Sequence, residues 1–518
     1  MNDLVQNLNR ELCDRLGSVH WQVRHQEVGW VVRSGDGVAY LRGARSIRYG
    51  ELLRRGDGLT ALAFDLRRDE IGALFLDPSE HVAAGDELHA TGQVASVPVG
   101  EQLLGRVVDA LGRPLDGEPA PSAAENWPVE REAPGVADRQ PVREPLHTGT
   151  KVLDSLLPLG RGQRELILGD RSTGKTAIAL DAILAQRGGD VVCVYAAIGQ
   201  RKTTITEVVG VLADNNALGQ TIVVAADADA APGQQYLAPY AACTMGEYFM
   251  RQGRHVLVVY DDLTKHADAY RRICLLLGRP PAREAYPADV FYLHARLLER
   301  ATRLHDRLGG GSLTALPIAT TQAGQVSAYI PTNLISITDG QIYLDARLFN
   351  EGLRPAVDVG MSVSRVGGKA QSAVLRSLAG DLRLLYAQLR ELETFARFGA
   401  ELETETRRRL ERGRRLREAL KQTRLHPLRP GQEAAVLAAV REGYLDPLPV
   451  DEVGAFLDAL QQFLDDSSRD LLTALEGKDG SSTDVQRQLH QAIATVQRRY
   501  LNRTGHDAGE HAAAAPGR

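Results

Sequence analysis

The chain has 518 residues, 43% of them hydrophobic, and 61 Lys and Arg against 66 Asp and Glu for a net charge of -5. That length predicts about three domains with cores of ordinary size, and the slight acidity argues against a life spent mainly on nucleic acid, where a basic excess is expected. The cysteines, Cys13, Cys193, Cys243 and Cys274, form no CxxC pair and read as small buried hydrophobes in a reducing compartment. The amino terminus alternates charges without an apolar centre, which excludes a signal peptide. No run of about 18 apolar residues is present to span a bilayer. The chain reads as soluble and intracellular, reaching a membrane only through partners.

In chain order, Leu4, Leu8, Leu12 and Leu16 predict an amphipathic helix over residues 1–20 for contact with a partner. Residues 21–95 hold short alternating runs (VGWVVRS, GVAYLRG, LTALAFDL, IGALFLD) parted by glycine turns, the pattern of a small antiparallel β-barrel. A proline-rich stretch, 118–145, reads as an irregular connection. Within 96–372, the runs RELILG, VVCVYAAI, TIVVAAD, HVLVVYDD and LTALPIATT are almost continuously apolar and alternate with helical segments. Strands covered on both faces look like this, so the expectation is a parallel α/β domain. Residues 373–504 read as helical, with Leu378, Leu382, Leu385, Leu389 and Leu392 on one stripe and a basic run over 404–417 that suits a solvated face. The tail, 505–518, is low in complexity and reads as disordered.

The segment from Gly169 through Asp170, Arg171, Ser172, Thr173 and Gly174 to Lys175 and Thr176 fits GxxxxGK[ST] between a predicted strand and a predicted helix. Glycines let successive backbone N–H groups curl toward phosphates, and the helix start adds its positive end. Lys175 would bring a point charge to the outer phosphates of ATP or ADP, and Thr176 a hydroxyl to Mg2+. The apolar strand ending in Tyr260-Asp261-Asp262 supplies the carboxylate expected on the metal side, Asp261.

Together GDRSTGKT, AIGQRK, YDDLTKHADAYR, GRPPAREAYPADVFYLHARLLER, PTNLISITDGQIYL and VGMSVSRVGG resemble the alpha subunits of F-type, rotary ATP synthases, over nearly the whole chain. The resemblance implies a multidomain α/β protein: a barrel crown, a RecA-like nucleotide domain and a C-terminal helical bundle. It implies alternation with catalytic beta subunits in a hexameric ring around a gamma central stalk, with a delta/b peripheral stalk. It places the chain at the cytoplasmic face of a bacterial inner membrane, held there only through the membrane sector, where ATP synthesis or hydrolysis is coupled to proton or sodium transport.

The resemblance also implies that this chain's own site is not hydrolytic. Catalytic relatives carry a Glu in a Gly-Glu-Arg segment to polarise the attacking water. Here the matching residue is Gln200, which has no charge to serve as a base. By the same resemblance Arg365, in SVSRVGG, is an arginine finger for the neighbouring beta site, with Ser362 at the same interface. Gln422 and Arg424 fall on the adenine side.

Several positions depart from the family pattern. Ser172 stands where glutamine is usual, Thr320 and Gln325 replace acidic residues, and Arg424 replaces a second glutamine. Weaker metal binding and altered purine selectivity are the expected consequences, and the departures point to a divergent, alternate bacterial branch that moves sodium. The rival readings are self-catalytic hexamers. An export ATPase shares the fold but conflicts with Gln200. A Rho-like RNA translocase needs a basic groove with stacking platforms, whereas Trp21, Trp30, Tyr40, Tyr49, Phe64 and Phe75 are dispersed among acidic residues.

Overall fold

The computed structural model describes residues 27–79, 81–122, 125–397, 404–477 and 480–504. The predicted helix over 1–20, Cys13 and the tail at 505–518 lie outside them. Two compact units are present, parting between Val94 and Ala95.

The first unit is a closed antiparallel barrel of strands β1 (Val28–Gly35), β2 (Val38–Gly43), β3 (Glu51–Arg54), β4 (Thr60–Leu66), β5 (Ile71–Phe75) and β6 (Glu87–Val94), in the order β1-β2-β5-β4-β3-β6. Leu41, Leu53, Phe75 and Leu88 are among its buried core residues, so the alternation seen in the sequence is the alternation of a barrel wall. Closure removes the unpaired edges that an open sheet of this size would expose.

The second unit opens with β7 (Ser96–Val99), β8 (Val107–Val108) and β9 (Glu125–Pro128). Here the expectation of an irregular connection is corrected: β9 lies within that stretch and pairs antiparallel with β7. The connection is fastened further on by Arg300, which is 1% exposed. Its guanidinium donates to Val129 O at 2.8 Å, Thr244 Oγ1 at 2.7 Å and Glu247 Oε1 at 2.8 Å. Arg300→Ala leaves the fully buried Glu247 facing only Arg131, at 3.6 Å. Breaking such a buried pair costs about 3–5 kcal/mol, and urea unfolding of the purified chain should show a loss of that order.

A two-residue ribbon, β10 (Pro145–Leu146) with β11 (Leu159–Gly160), brackets helix α1 (Lys151–Leu156). The sheet of this unit uses β12 (Glu165–Gly169), β13 (Val191–Gln200), β14 (Thr221–Asp227), β15 (His255–Asp261), β16 (Thr302–Arg303), β17 (Ser312–Thr320), β18 (Gly340–Leu344) and β19 (Val363–Ser364). Its order is β19-β18-β12-β17-β15-β13-β14-β8, with β16 beside β17. All pairs are parallel except β18 with β19 and β16 with β17. The five apolar runs form β12, β13, β14, β15 and β17, buried almost end to end. Helices α2 (Lys175–Ala185), α3 (Lys202–Asp214), α4 (Pro232–Arg251), α5 (Leu263–Leu276), α6 (Val290–Leu298), α7 (Tyr329–Ile337) and α8 (Ala346–Asn350) alternate with these strands.

The remainder is helical: α9 (Ala373–Ala379), α10 (Leu382–Arg397), α11 (Thr404–Ala419), α12 (Pro430–Arg441), α13 (Val453–Ser467), α14 (Arg469–Glu476) and α15 (Thr483–Thr504). The leucine stripe spans two helices, because the helix is interrupted between Ala379 and Leu382. Leu378, Leu382 and Leu389 are buried, Leu385 is half-buried, and Leu392 lies outside the described side chains. In the basic run, Leu410, Gly413 and Leu416 face inward, and the arginines around them stay at least partly exposed. Cys193, Cys243 and Cys274 are buried free thiols; burial pushes those of Cys243 and Cys274 up to about 11, so they behave as hydrophobes. Among the described residues no helix is long and apolar enough to cross a membrane.

Candidate nucleotide site

The C-terminal ends of β12, β13, β15 and β17 meet at one edge of the sheet, the place where parallel α/β sheets bind ligands. The loop after β12 turns sharply into α2. Ser172 and Gly174 take the left-handed backbone at φ 61° and 98°, and Gly169 is packed from three sides. A Cβ on Gly169 would lie 2.7 Å from Leu344 O and 2.9 Å from both Leu344 Cβ and Thr173 Oγ1. Gly169→Ala should therefore displace the loop, costing about 1–3 kcal/mol and weakening nucleotide retention by roughly tenfold or more. Equilibrium dialysis with labelled ATP would measure it.

Lys175 is 8% exposed and donates to Gly169 O at 2.9 Å and to Asp170 O at 2.5 Å. Burial lowers its pKa, with Asp262, Asp261 and Asp170 pulling the other way. The Asp170 carboxylate accepts from Thr321 Oγ1 at 2.6 Å and Gly324 N at 2.9 Å. It pins the loop after β17, so its part in the phosphate cradle is played by the backbone. Arg171 and Ser172 are exposed at the loop tip.

Asp261, 3% exposed, accepts from Thr176 Oγ1 at 2.8 Å, Tyr195 Oη at 2.7 Å and Gln200 Nε2 at 2.7 Å. The structure thus brings the predicted Thr176, Gln200 and Asp261 together. Lys265, which the sequence reading missed, donates to Gln200 Oε1 at 2.7 Å and Gly199 O at 3.0 Å. The amide of Gln200 is held at both ends, oxygen toward Lys265 and nitrogen toward Asp261. Thr320 donates to Asp262 Oδ2 at 2.9 Å, and burial, then the Asp261 charge, raises Asp262 to about 6. A hydroxyl at position 320 therefore relieves a carboxylate pair that an acid there would crowd. Gln325 is exposed on the loop pinned by Asp170.

A cleft of about 1360 Å3 runs from residues 172–176 to the segment after α11 and is lined also by Lys151, Arg354, Gln422 and Arg424. Gln422 joins its walls: Oε1 accepts from Lys151 N at 3.0 Å, and Nε2 donates to Gly149 O at 2.7 Å and His426 O at 2.9 Å. Arg424 is exposed within the cleft. Asp181 on α2, also missed, accepts from Leu425 N at 2.7 Å and is raised by burial to about 7. Asp181 fixes the turn that carries Arg424. Nothing local marks such a residue, because its partner is far along the chain.

Arg365 and Ser362 are not part of this cleft. Arg365 follows β19, where Ser364 pairs with Gly340, which in turn pairs with Glu165 at the start of β12. The phosphate loop lies at the other end of β12, about 13 Å away at roughly 3.3 Å per residue. Arg365 is exposed, and its N–H donates to Asp339 O at 2.9 Å. The Asp339 carboxylate is itself clamped by Arg164, at 2.8 Å and 3.1 Å. Ser362 stands three residues before Arg365. It is fully buried, donates to Asp358 O at 2.6 Å and accepts from Tyr343 N at 2.9 Å. Its hydroxyl thereby shapes the turn before Arg365.

Residues 149–364 match the model of the nucleotide-binding domain of the ATP synthase alpha/beta family, and residues 371–496 match the model of that family's C-terminal domain. The chain belongs to the ATP synthase alpha/beta family. It is 52% identical over 467 residues to the ATP synthase subunit alpha of Dehalococcoides mccartyi (strain BAV1), covering 90% of this chain and 93% of that one. It is 55% identical over 441 residues to ATP synthase subunit alpha 2 of Syntrophus aciditrophicus, 85% of each chain. With the subunit alpha of Clostridium kluyveri (strain NBRC 12016) it shares 49% over 501 residues, 97% of this chain and 99% of the relative. The cleft is lined by residues 172–176 of the nucleotide-binding domain match and by residues 422–424 of the C-terminal domain match, and barrel, α/β domain and helices are the parts the sequence predicted.

Proposed function

We propose that this chain is the alpha-type, nucleotide-binding but non-catalytic subunit of an F-type ATP synthase head. It alternates with catalytic beta subunits around a gamma stalk, is joined through delta/b to the membrane sector, and lies at the cytoplasmic face of the bacterial inner membrane. The coupled work of the complex is ATP synthesis or hydrolysis against ion transport. The names of the relatives support the assignment.

The observation that carries it is the separation of two halves of a hydrolytic site within one chain. Phosphate loop, Thr176 and Asp261 stand at the C-terminal edge of the sheet, while Arg365 leaves from the opposite edge. An arginine placed there serves a phosphate on a neighbouring subunit. The chain's own site has an amide at Gln200, held between Lys265 and Asp261, where water polarisation needs a base.

The donor set fits Mg2+. Thr176 hydroxyl and Asp261 carboxylate are adjacent oxygen donors, the type that Mg2+ takes, and would hold the ion there. The chemistry supplied by the ion would be screening of phosphate charge. Lys175 holds the outer phosphates, and the 150–151 and 422–424 walls hold the base. The test is exchange of nucleotide on this chain in an assembled head during turnover. Labelled ATP trapped on this chain should stay unhydrolysed while the beta sites turn over many times; exchange at the turnover rate would refute the reading.

A further inference from the structure

The stem of the segment that carries Arg365 rests on Gln163, Arg164 and Glu165, at the start of β12. Gln163, fully buried, donates from Nε2 to Glu165 Oε2 at 2.7 Å and to Ser364 Oγ at 3.2 Å. Ser364 Oγ in turn donates to Pro158 O at 3.0 Å and accepts from Gly367 N at 3.2 Å, so the turn is held on both sides of Arg365. Arg164 clamps the Asp339 carboxylate, and the Asp339 carbonyl accepts the Arg365 N–H. Glu165 is 0% exposed and lies against Gly340, the residue after Asp339. A Cβ at Gly340 would stand 2.5 Å from Glu165 Oε2 and 2.8 Å from Oε1, so only glycine leaves room for the carboxyl group there.

A carboxyl group at this depth is costly, and its Oε1 has no hydrogen-bond partner. The bond from Gln163 does not account for it, because a glutamine at position 165 would accept the same bond without a charge to bury. What the acid adds is charge. Burial raises the Glu165 carboxyl well above its usual range, the Gln163 bond opposes this, Asp339 adds to the rise and the charge of Arg365 opposes it. Arg365 is thus the cation that acts on Glu165, and the attraction is mutual: a guanidinium that favours the ionised carboxylate is itself held by it.

We propose that Glu165 is a positioning residue for Arg365, its buried charge drawing the guanidinium to the start of β12 and narrowing the directions in which it leaves toward the neighbouring subunit. The proposal rests on the reading of Arg365 as a finger that acts in trans. Arg365 is exposed, and an exposed arginine has many rotamers; a fixed charge beneath it reduces them before phosphate arrives.

The test reconstitutes the head with the full-length chain carrying Glu165→Gln, which keeps the shape and the Gln163 bond and removes only the charge. For ATP hydrolysis kcat should fall about ten- to a hundredfold, the scale of a reacting group misplaced by about an ångström, with KM for ATP little changed. The melting temperature of the isolated chain should hold or rise, because a buried charge is gone. Glu165→Asp, which keeps the charge, should recover part of the loss. In the Arg365→Ala background Glu165→Gln should cost nothing further, because it acts through that residue. Ser364→Ala, at a half-buried position, cuts the Gln163 bond beside the finger and should lower kcat in the same sense. Wild-type kcat in Glu165→Gln, or in Ser364→Ala where Glu165→Gln fails to fold, beside a deep loss in Arg365→Ala, overturns this proposal and leaves the finger standing. Wild-type turnover in Arg365→Ala overturns the finger itself. A loss that comes with a lower melting temperature, that Glu165→Asp does not relieve, or that persists in the Arg365→Ala background assigns Glu165 to packing and also overturns the proposal.

Discussion

Arg365→Ala should lower ATP turnover of the assembled head by about three to five powers of ten, the range found when an arginine finger is removed. The chain itself should lose little stability, because Arg365 is exposed, its backbone N–H, which alanine retains, bonds to Asp339 O, and its guanidinium acts on the buried Glu165 only through charge. Native gels of the reconstituted ring would show normal assembly, and a coupled ATPase assay would show the missing activity. Arg365→Lys should rescue little, since a single ammonium lacks the planar fork that spreads over developing phosphoryl charge. Turnover close to wild type in either variant would remove the residue from the mechanism.

The second large effect separates binding from catalysis. Lys175 is the buried cation of the phosphate loop, donating to Gly169 O and Asp170 O. Its bonds to phosphate oxygens would be charge-assisted, each contributing about 1.5–3 kcal/mol, roughly 10- to 150-fold in affinity. Lys175→Ala should strip nucleotide from this chain by about that factor, as read by equilibrium dialysis on the isolated subunit. Turnover of the assembled head should fall far less than it does for Arg365→Ala. An equally deep loss of turnover would mean that this site is hydrolytic.

The strands of the α/β domain were legible because burial on both faces leaves a run such as VVCVYAAI with no polar residue to hide it. Strand β18, with buried residues alternating with half-buried ones, and the two-residue β8 and β19 carry no such signature. The phosphate loop was legible because its chemistry is local: strand, glycines, lysine and helix start lie within a dozen residues. Lys265 was not, because its approach to Gln200 depends on β13 and β15 lying side by side. Asp181, tied to Leu425, depends on a contact made across hundreds of residues. Ser362 was singled out through resemblance alone; its burial and its bonds to Asp358 and Tyr343 depend on packing that the local sequence does not show. The role proposed for Arg365 came only through resemblance; its place at the far edge of the sheet, away from this chain's own phosphate loop, is what supports the proposal of action in trans.

The most direct test of that division of labour is ATP turnover of the purified chain alone and then mixed with its beta and gamma partners. Negligible turnover alone, activity on mixing, and loss of that activity with Arg365→Ala are the expected results. Robust turnover by the chain alone, abolished by Lys175→Ala, would contradict it and make this chain a catalytic ATPase in its own right.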